Sequence, residues 1–241
     1  MHAAARVENA TKIYGEGTTA VTALDDLSVS FEKGRFSAIM GPSGSGKSTL
    51  LHCIAGLDTL TSGSAYIGDT RLGDLNDTDL TLLRRQQVGF VFQSFNLIPT
   101  LNAAENVRLP LDIAGTAVDP EWFDTVVDAV SLRDRLTHRP SELSGGQQQR
   151  VAAARALLSR PTIVFADEPS GNLDSKSGAE LLGFMRRAVD EFGQTIVMVT
   201  HDPNAAAYAD RIVFLADGHH AGELLDPTAD QIFARLREMG D

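Results

Sequence analysis

Nine consecutive residues, Gly41-Pro42-Ser43-Gly44-Ser45-Gly46-Lys47-Ser48-Thr49, match the pattern G-x-x-x-x-G-K-[ST]. These types suit a polyphosphate. Glycines let successive backbone N–H groups turn toward one anion, and a helix N-terminus adds partial positive charge. Lys47 has the reach for β- and γ-phosphates, the Ser48 hydroxyl is a magnesium ligand, and Thr49 adds another hydroxyl. Such a site also needs an acid at the tip of a neighbouring strand. Thr162-Ile163-Val164-Phe165-Ala166-Asp167-Glu168 provides it: a buried strand, then two carboxylates where the chain leaves the sheet. Asp167 is placed to hold Mg²⁺ or its waters, and Glu168 to take a proton from an attacking water. A chance match is the rival reading of the glycine pattern, which the strand before it and the helix after it make rare, whereas the acid pair alone is a solvated turn. Together they read as a nucleotide site.

A second glycine-bearing element is Leu143-Ser144-Gly145-Gly146-Gln147-Gln148-Gln149-Arg150. Ser144 and Gln147 have capping-box spacing, so a helix starts here and runs through the alanine-rich Val151 to Leu158. In isolation this is merely a capped helix. One nucleotide, however, hardly needs two helix-terminus phosphate sites on one chain. The second is then available to a nucleotide held by another copy.

The elements around these motifs alternate. Val21 to Leu24 and Leu27 to Phe31 read as strands separated by the turn-prone Asp25-Asp26, and Phe36 to Met40 as a short apolar strand before the glycine loop. Leu50, Leu51 and Ile54 continue as a helix, in which His52 and Cys53 pack. From about 93 to 139 the apolar spacing turns helical, in Thr100 to Val107 and Trp122 to Leu132. Strands Thr162 to Ala166 and Thr195 to Thr200 then bracket a helix from Ser175 to Phe192, and a strand follows at Arg211 to Leu215. Strand–helix alternation means a parallel sheet covered by helices, with ligands beyond the carboxyl ends of its strands. His219-His220 read as an exposed turn rather than a metal pair. A final helix, Thr228 to Met239, carries Ile232, Phe233, Leu236 and Met239 on one side as a lid.

The 241 residues are 43% hydrophobic and 22% charged, an ordinary globular balance that argues against disorder. A formal charge of −11 disfavours nucleic acid and anionic bilayers as direct partners. Cys53, the single cysteine, closes no internal disulfide and fits a reducing cytosol. No apolar run approaches the ~18 residues of a membrane span. The start, Met1-His2-Ala3-Ala4-Ala5-Arg6, lacks the apolar core of a signal peptide. The expectation is a cytoplasmic chain that meets a membrane only through a partner.

With these motifs in this order, the sequence resembles the ABC-type ATPases over essentially its whole length. Leu143 to Gln147, between the P-loop and Asp167-Glu168, is similar to the family's signature motif. The resemblance implies further roles. Gln93 matches the glutamine that senses γ-phosphate and Mg²⁺ through water, and His201 the switch histidine at the γ-phosphate. Ser170-Gly171-Asn172-Leu173-Asp174 resembles the loop that crosses to the partner subunit, and Tyr14 the aromatic that stacks on adenine. The implied fold is an α/β P-loop NTPase: a RecA-like parallel core, an N-terminal antiparallel β-subdomain, and a helical signature subdomain at roughly 94–160, within one domain spanning 1–241.

Val88 to Leu101 and Glu105-Asn106-Val107 resemble the bacterial branch that powers lipoprotein release and macrolide-type efflux, and the related cell-division ATPase. Phe95, Leu97, Ile98 and Leu101 offer apolar surface for a permease helix, or else fill the helical subdomain. The resemblance implies a homodimer around two Mg-ATP, with Ser144, Gly145, Gly146 and Gln147 closing on the partner's nucleotide. It also implies an integral-membrane permease and a place on the cytoplasmic face of the membrane. The alternatives are a mechanical switch of the cell-division type, a soluble ABC-type ATPase, which usually has two such domains or a long coiled-coil insertion, and a P-loop phosphotransferase, in which the signature has no use.

Overall fold

The computed structural model describes residues 3–240; Met1 and His2, which begin the segment read for a leader, lie outside them. Four continuous apolar runs build its centre. β3 (Phe36–Met40), β7 (Ile163–Asp167), β8 (Ile196–Val199) and β9 (Arg211–Ala216) are buried almost throughout, the pattern of strands covered on both faces. With β6 (Val88–Val91) they run parallel, and β10 (His219–Leu225) adds an antiparallel edge, giving the order β10-β9-β3-β8-β7-β6.

Alternation along each strand divides the core into two layers. Phe36, Ala38, Met40, Val164, Ala166, Met198 and Phe214 face one side. They pack there with α3 (Ala103–Ala114), α4 (Pro120–Ala129), α5 (Gly145–Leu158), α6 (Ser175–Phe192), α7 (Pro203–Ala206) and α8 (Ala229–Gly240). Ile39, Phe165, Val197 and Val213 face the other side. They meet α1 (Lys47–Ile54) and a second sheet of β1 (Ala3–Tyr14), β2 (Val21–Glu32), β4 (Ser62–Ile67) and β5 (Thr70–Arg71), all antiparallel, ordered β2-β1-β4-β5. α2 (Asp77–Gln87) leads into β6. The parallel core and N-terminal antiparallel sheet are as expected. Between β6 and β7 the chain forms helices and loops only.

Three local expectations change. Asp25-Asp26 does not end a strand: β2 is continuous, and Asp26 forms a bulge at φ 47° opposite Asn9, also at φ 47°. The Asn9 amide donates to Asp26 at 2.9 Å, so the acid pair is absorbed by pairing. The turn at the far edge is Asp217-Gly218, and His219-His220 open β10. His219 lies 3.5 Å from Asp25 and His220 3.1 Å from Glu223, and no metal-holding cluster exists among the described residues. On α8, Ile232 is buried and Leu236 and Met239 pack beside it, but Phe233 is 46% exposed. One residue is 100° of helix rotation, which carries Phe233 off that face.

Candidate nucleotide site

The glycine loop leaves the end of β3 and winds into α1. Two of its glycines have no substitute: a Cβ on Gly41 (φ 150°) would lie 2.0 Å from Leu215 O, and one on Gly46 (φ 94°) 2.2 Å from Ala23 O. Pro42, Ser43 and Gly44 form an exposed rim over buried Ser45. No side chain caps α1, so its first N–H groups are free for an anion. Lys47 arches back, donating to Gly41 O at 3.0 Å and Pro42 O at 2.7 Å. Burial pulls its pKa down, against the opposing pull of Glu168 and Asp167.

The acids converge on this loop. Ser48 Oγ donates to Asp167 Oδ1 at 3.2 Å, joining the start of α1 to the tip of β7. Glu168 follows at φ 47°, its N–H held by Val199 O at 2.9 Å. His201, just past β8, brings Nδ1 to 2.8 Å from Glu168 Oε1, where a protonated Nδ1 donates to the carboxylate. Loop, acids and histidine thus share the carboxyl edge of the parallel sheet. Of the two residues expected merely to pack, Cys53 does, and burial pushes its thiol up to about 12. His52 sets its ring against Phe90, 6.2 Å between centroids, and also brings Nε2 to 3.7 Å from Asp167.

The other named residues bond elsewhere. Gln93 pairs with Asn172: its Nε2 donates to Asn172 Oδ1 at 3.4 Å, and Asn172 Nδ2 donates to Gln93 O at 3.1 Å. Tyr14 donates its hydroxyl to Asp58 at 2.7 Å. Ser144 and Gln147 close the capping box on one another, at 2.9 and 3.3 Å. Gly146 is buried, and a Cβ there would lie 2.6 Å from Ser177 Oγ, so α5 needs glycine to approach α6. Gly145 has ordinary room, 3.5 Å from Phe95. Among the described residues, no hydrogen bond links Ser144, Gly145, Gly146 or Gln147 to residues 41–49.

Two contributors escaped the sequence reading. Gln149 is fully buried, and its Nε2 donates to Phe92 O at 2.9 Å and Pro169 O at 2.7 Å, the carbonyls next to Gln93 and Glu168. Its signal was a polar residue on the stripe of buried positions 146, 149 and 153. Asp58 accepts from both Tyr14 and Lys12. Lys12 and Tyr14 stand two apart on β1, hence on one face, which was the available clue. An apolar groove lies against β6. About 440 Å³ in volume, it is lined by Phe90, Phe92, Leu109, Pro110 and Ile113 beside Arg155, and none of Phe95, Leu97, Ile98 or Leu101 is among its lining residues. Leu97 turns inward to the core, while buried Asn106 bonds Ile98 and Leu101 backbones and fixes that loop.

A model of the ABC transporter family matches residues 24–171. Over 219 residues the chain is 46% identical to the ABC transporter ATP-binding protein MJ0796 of Methanocaldococcus jannaschii, covering 88% of this chain and 93% of that one. It is 44% identical over 233 residues to the macrolide export ATP-binding/permease protein MacB of Burkholderia thailandensis, covering 96% of this chain and 36% of MacB. A dimeric post-hydrolysis structure of the MJ0796 cassette with ADP and Pi matches at TM-score 0.83 and 43% identity, over 92% of this chain and 99% of that chain. CbiO1 of Clostridium perfringens, at 24% identity and TM-score 0.83, shares the fold. The chain belongs to the ABC transporter family.

Proposed function

We propose that this chain binds Mg-ATP on its P-loop, pairs with a second copy around two nucleotides, hydrolyses them and thereby drives a separate membrane permease of the export type. The observation that carries the reading is the Ser48–Asp167 contact with Glu168–His201 one residue further along. A magnesium ion suits that place. A hydroxyl and a carboxylate offer two hard oxygens, and no described group of three His, Cys, Asp or Glu would hold a metal unaided. Phosphate oxygens and water would complete its shell. Ser48 and Asp167 would hold it, with Gln93 joining once its amide leaves Asn172. When bound, the ion offsets charge developing on the transferred phosphoryl group.

The protein's own groups do the rest. Lys47 exchanges loop carbonyls for phosphate oxygens. His201 holds one Glu168 oxygen and so leaves the other to accept a proton from water. Ser144 accepts the Gln147 N–H, which keeps its own hydroxyl proton for a phosphate, and the Gly145 and Gly146 N–H groups point out of the helix start. That signature end bonds nothing on its own P-loop, which favours a nucleotide held by the other copy. In this reading residues 94–160 form a helical subdomain, and the groove beside Gln93 receives a permease segment. No described helix is long and apolar enough to cross a membrane, so membrane attachment on the cytoplasmic face falls to the permease.

Glu168→Gln tests the reading. The amide accepts no proton, so turnover falls by about a hundredfold or more while Mg-ATP binding persists. Near-normal turnover would reassign the base. The membrane protein that co-purifies from solubilised membranes tests the permease, and a wall-hydrolysis regulator in that place would replace export by mechanical switching.

A further inference from the structure

Just past α1, the helix that the P-loop opens, the Asp58 carboxylate gathers several groups. Oδ2 accepts the Tyr14 hydroxyl at 2.7 Å, and Oδ1 accepts the Lys12 ammonium at 2.6 Å and the Thr59 N–H at 2.7 Å. The same ammonium donates to Thr59 O at 2.7 Å and lies over the Tyr14 ring, 4.7 Å from its centroid. Tyr14 as a residue is 42% exposed. Burial raises the Asp58 pKa, but the bonds from Lys12 and Tyr14 outweigh it and hold the carboxyl below its ordinary value. Burial, then Asp58, raise the pKa of the Tyr14 phenol.

A carboxylate this near a polyphosphate site would repel the ligand unless neutralised, and Lys12 neutralises it. An untethered tyrosine on an exposed strand end would lose side-chain freedom on stacking, which costs affinity. The Asp58 bond removes that freedom beforehand. Lys12 occupies one ring face, so only the opposite face is left for a flat partner.

We propose that Asp58 is a positioning residue for the nucleobase: with Lys12 it fixes the Tyr14 ring as a one-sided platform for the purine before nucleotide arrives. The proposal rests on the reading of Tyr14 as the adenine-stacking residue. Calorimetry on the whole chain with Mg-ATP and with Mg-tripolyphosphate, which has the phosphates without the base, separates the two ideas. Tyr14→Ala weakens ATP about fivefold or more, the usual worth of base–aromatic stacking. Tyr14→Phe, which keeps the ring and changes no charge, weakens ATP about two- to tenfold, and so does Asp58→Ala. The double variant is no worse than the poorer single, because both cut one link. Tripolyphosphate affinity does not fall in any of them.

Wild-type ATP affinity in Tyr14→Phe and Asp58→Ala, with Tyr14→Ala impaired, would overturn the tether and leave the stacking role standing. Parallel weakening of both ligands would overturn it as a phosphate or folding effect. Wild-type affinity in Tyr14→Ala would overturn the adenine reading itself.

Discussion

Opposing forces act on the Lys47 charge. Burial disfavours it, Glu168 and Asp167 favour it, and two loop carbonyls hold it until phosphate displaces them. Lys47→Ala removes charge-assisted bonds worth about 1.5–3 kcal/mol, so Mg-ATP affinity drops about tenfold or more. Nucleotide titration measures this, and unchanged affinity would contradict phosphate binding at the loop. Residues of this kind were legible in the sequence because chemistry restricts their type and the pattern is local: Gly41, Gly46, Lys47, Ser48, Asp167 and Glu168 all fall at one sheet edge. Asp58 and Gln149 were not, because their meaning lies in distant partners, Lys12 for one and Phe92 and Pro169 for the other.

Among the elements, α5 links the site to its surroundings. Its capped start, Ser144 to Gln147, is the segment read as the signature. Its buried face grips the loop after β6 through Gln149 at Phe92 O and through Arg155 at Phe95 O and Asn96 O. Gln149→Leu leaves the Phe92 and Pro169 carbonyls buried without that donor, a loss of about 1–3 kcal/mol that thermal unfolding reads as a lower Tm. Turnover should fall further than ATP affinity, since the loops bearing Gln93 and Glu168 slacken while the P-loop is untouched. Lost affinity with turnover intact would contradict this. At this scale periodicity served long amphipathic segments: α6 runs from Ser175 to Phe192 as read. It failed for β1 and for β4, whose Ser62-Gly63-Ser64 start has no apolar alternation. It also failed at Asp25-Asp26, where tertiary pairing turned a local turn signal into a bulge.

In the proposed dimer each site is complete only between two copies. In the proposed reading the P-loop edge supplies the cation, base and phosphate groups, whereas among the described residues the Ser144 side chain and N–H bond only within their own turn. A chain of net charge −11 must also overcome self-repulsion to pair, which the closing contacts of the proposed dimer would have to offset. Light scattering on Glu168→Gln, with and without saturating Mg-ATP, tests this most directly when repeated in a Ser144→Arg background. Twice the chain mass is expected with Mg-ATP for Glu168→Gln, and a single-chain mass once Ser144→Arg blocks the signature while each chain still binds ATP. A single-chain mass for Glu168→Gln in saturating Mg-ATP would contradict it.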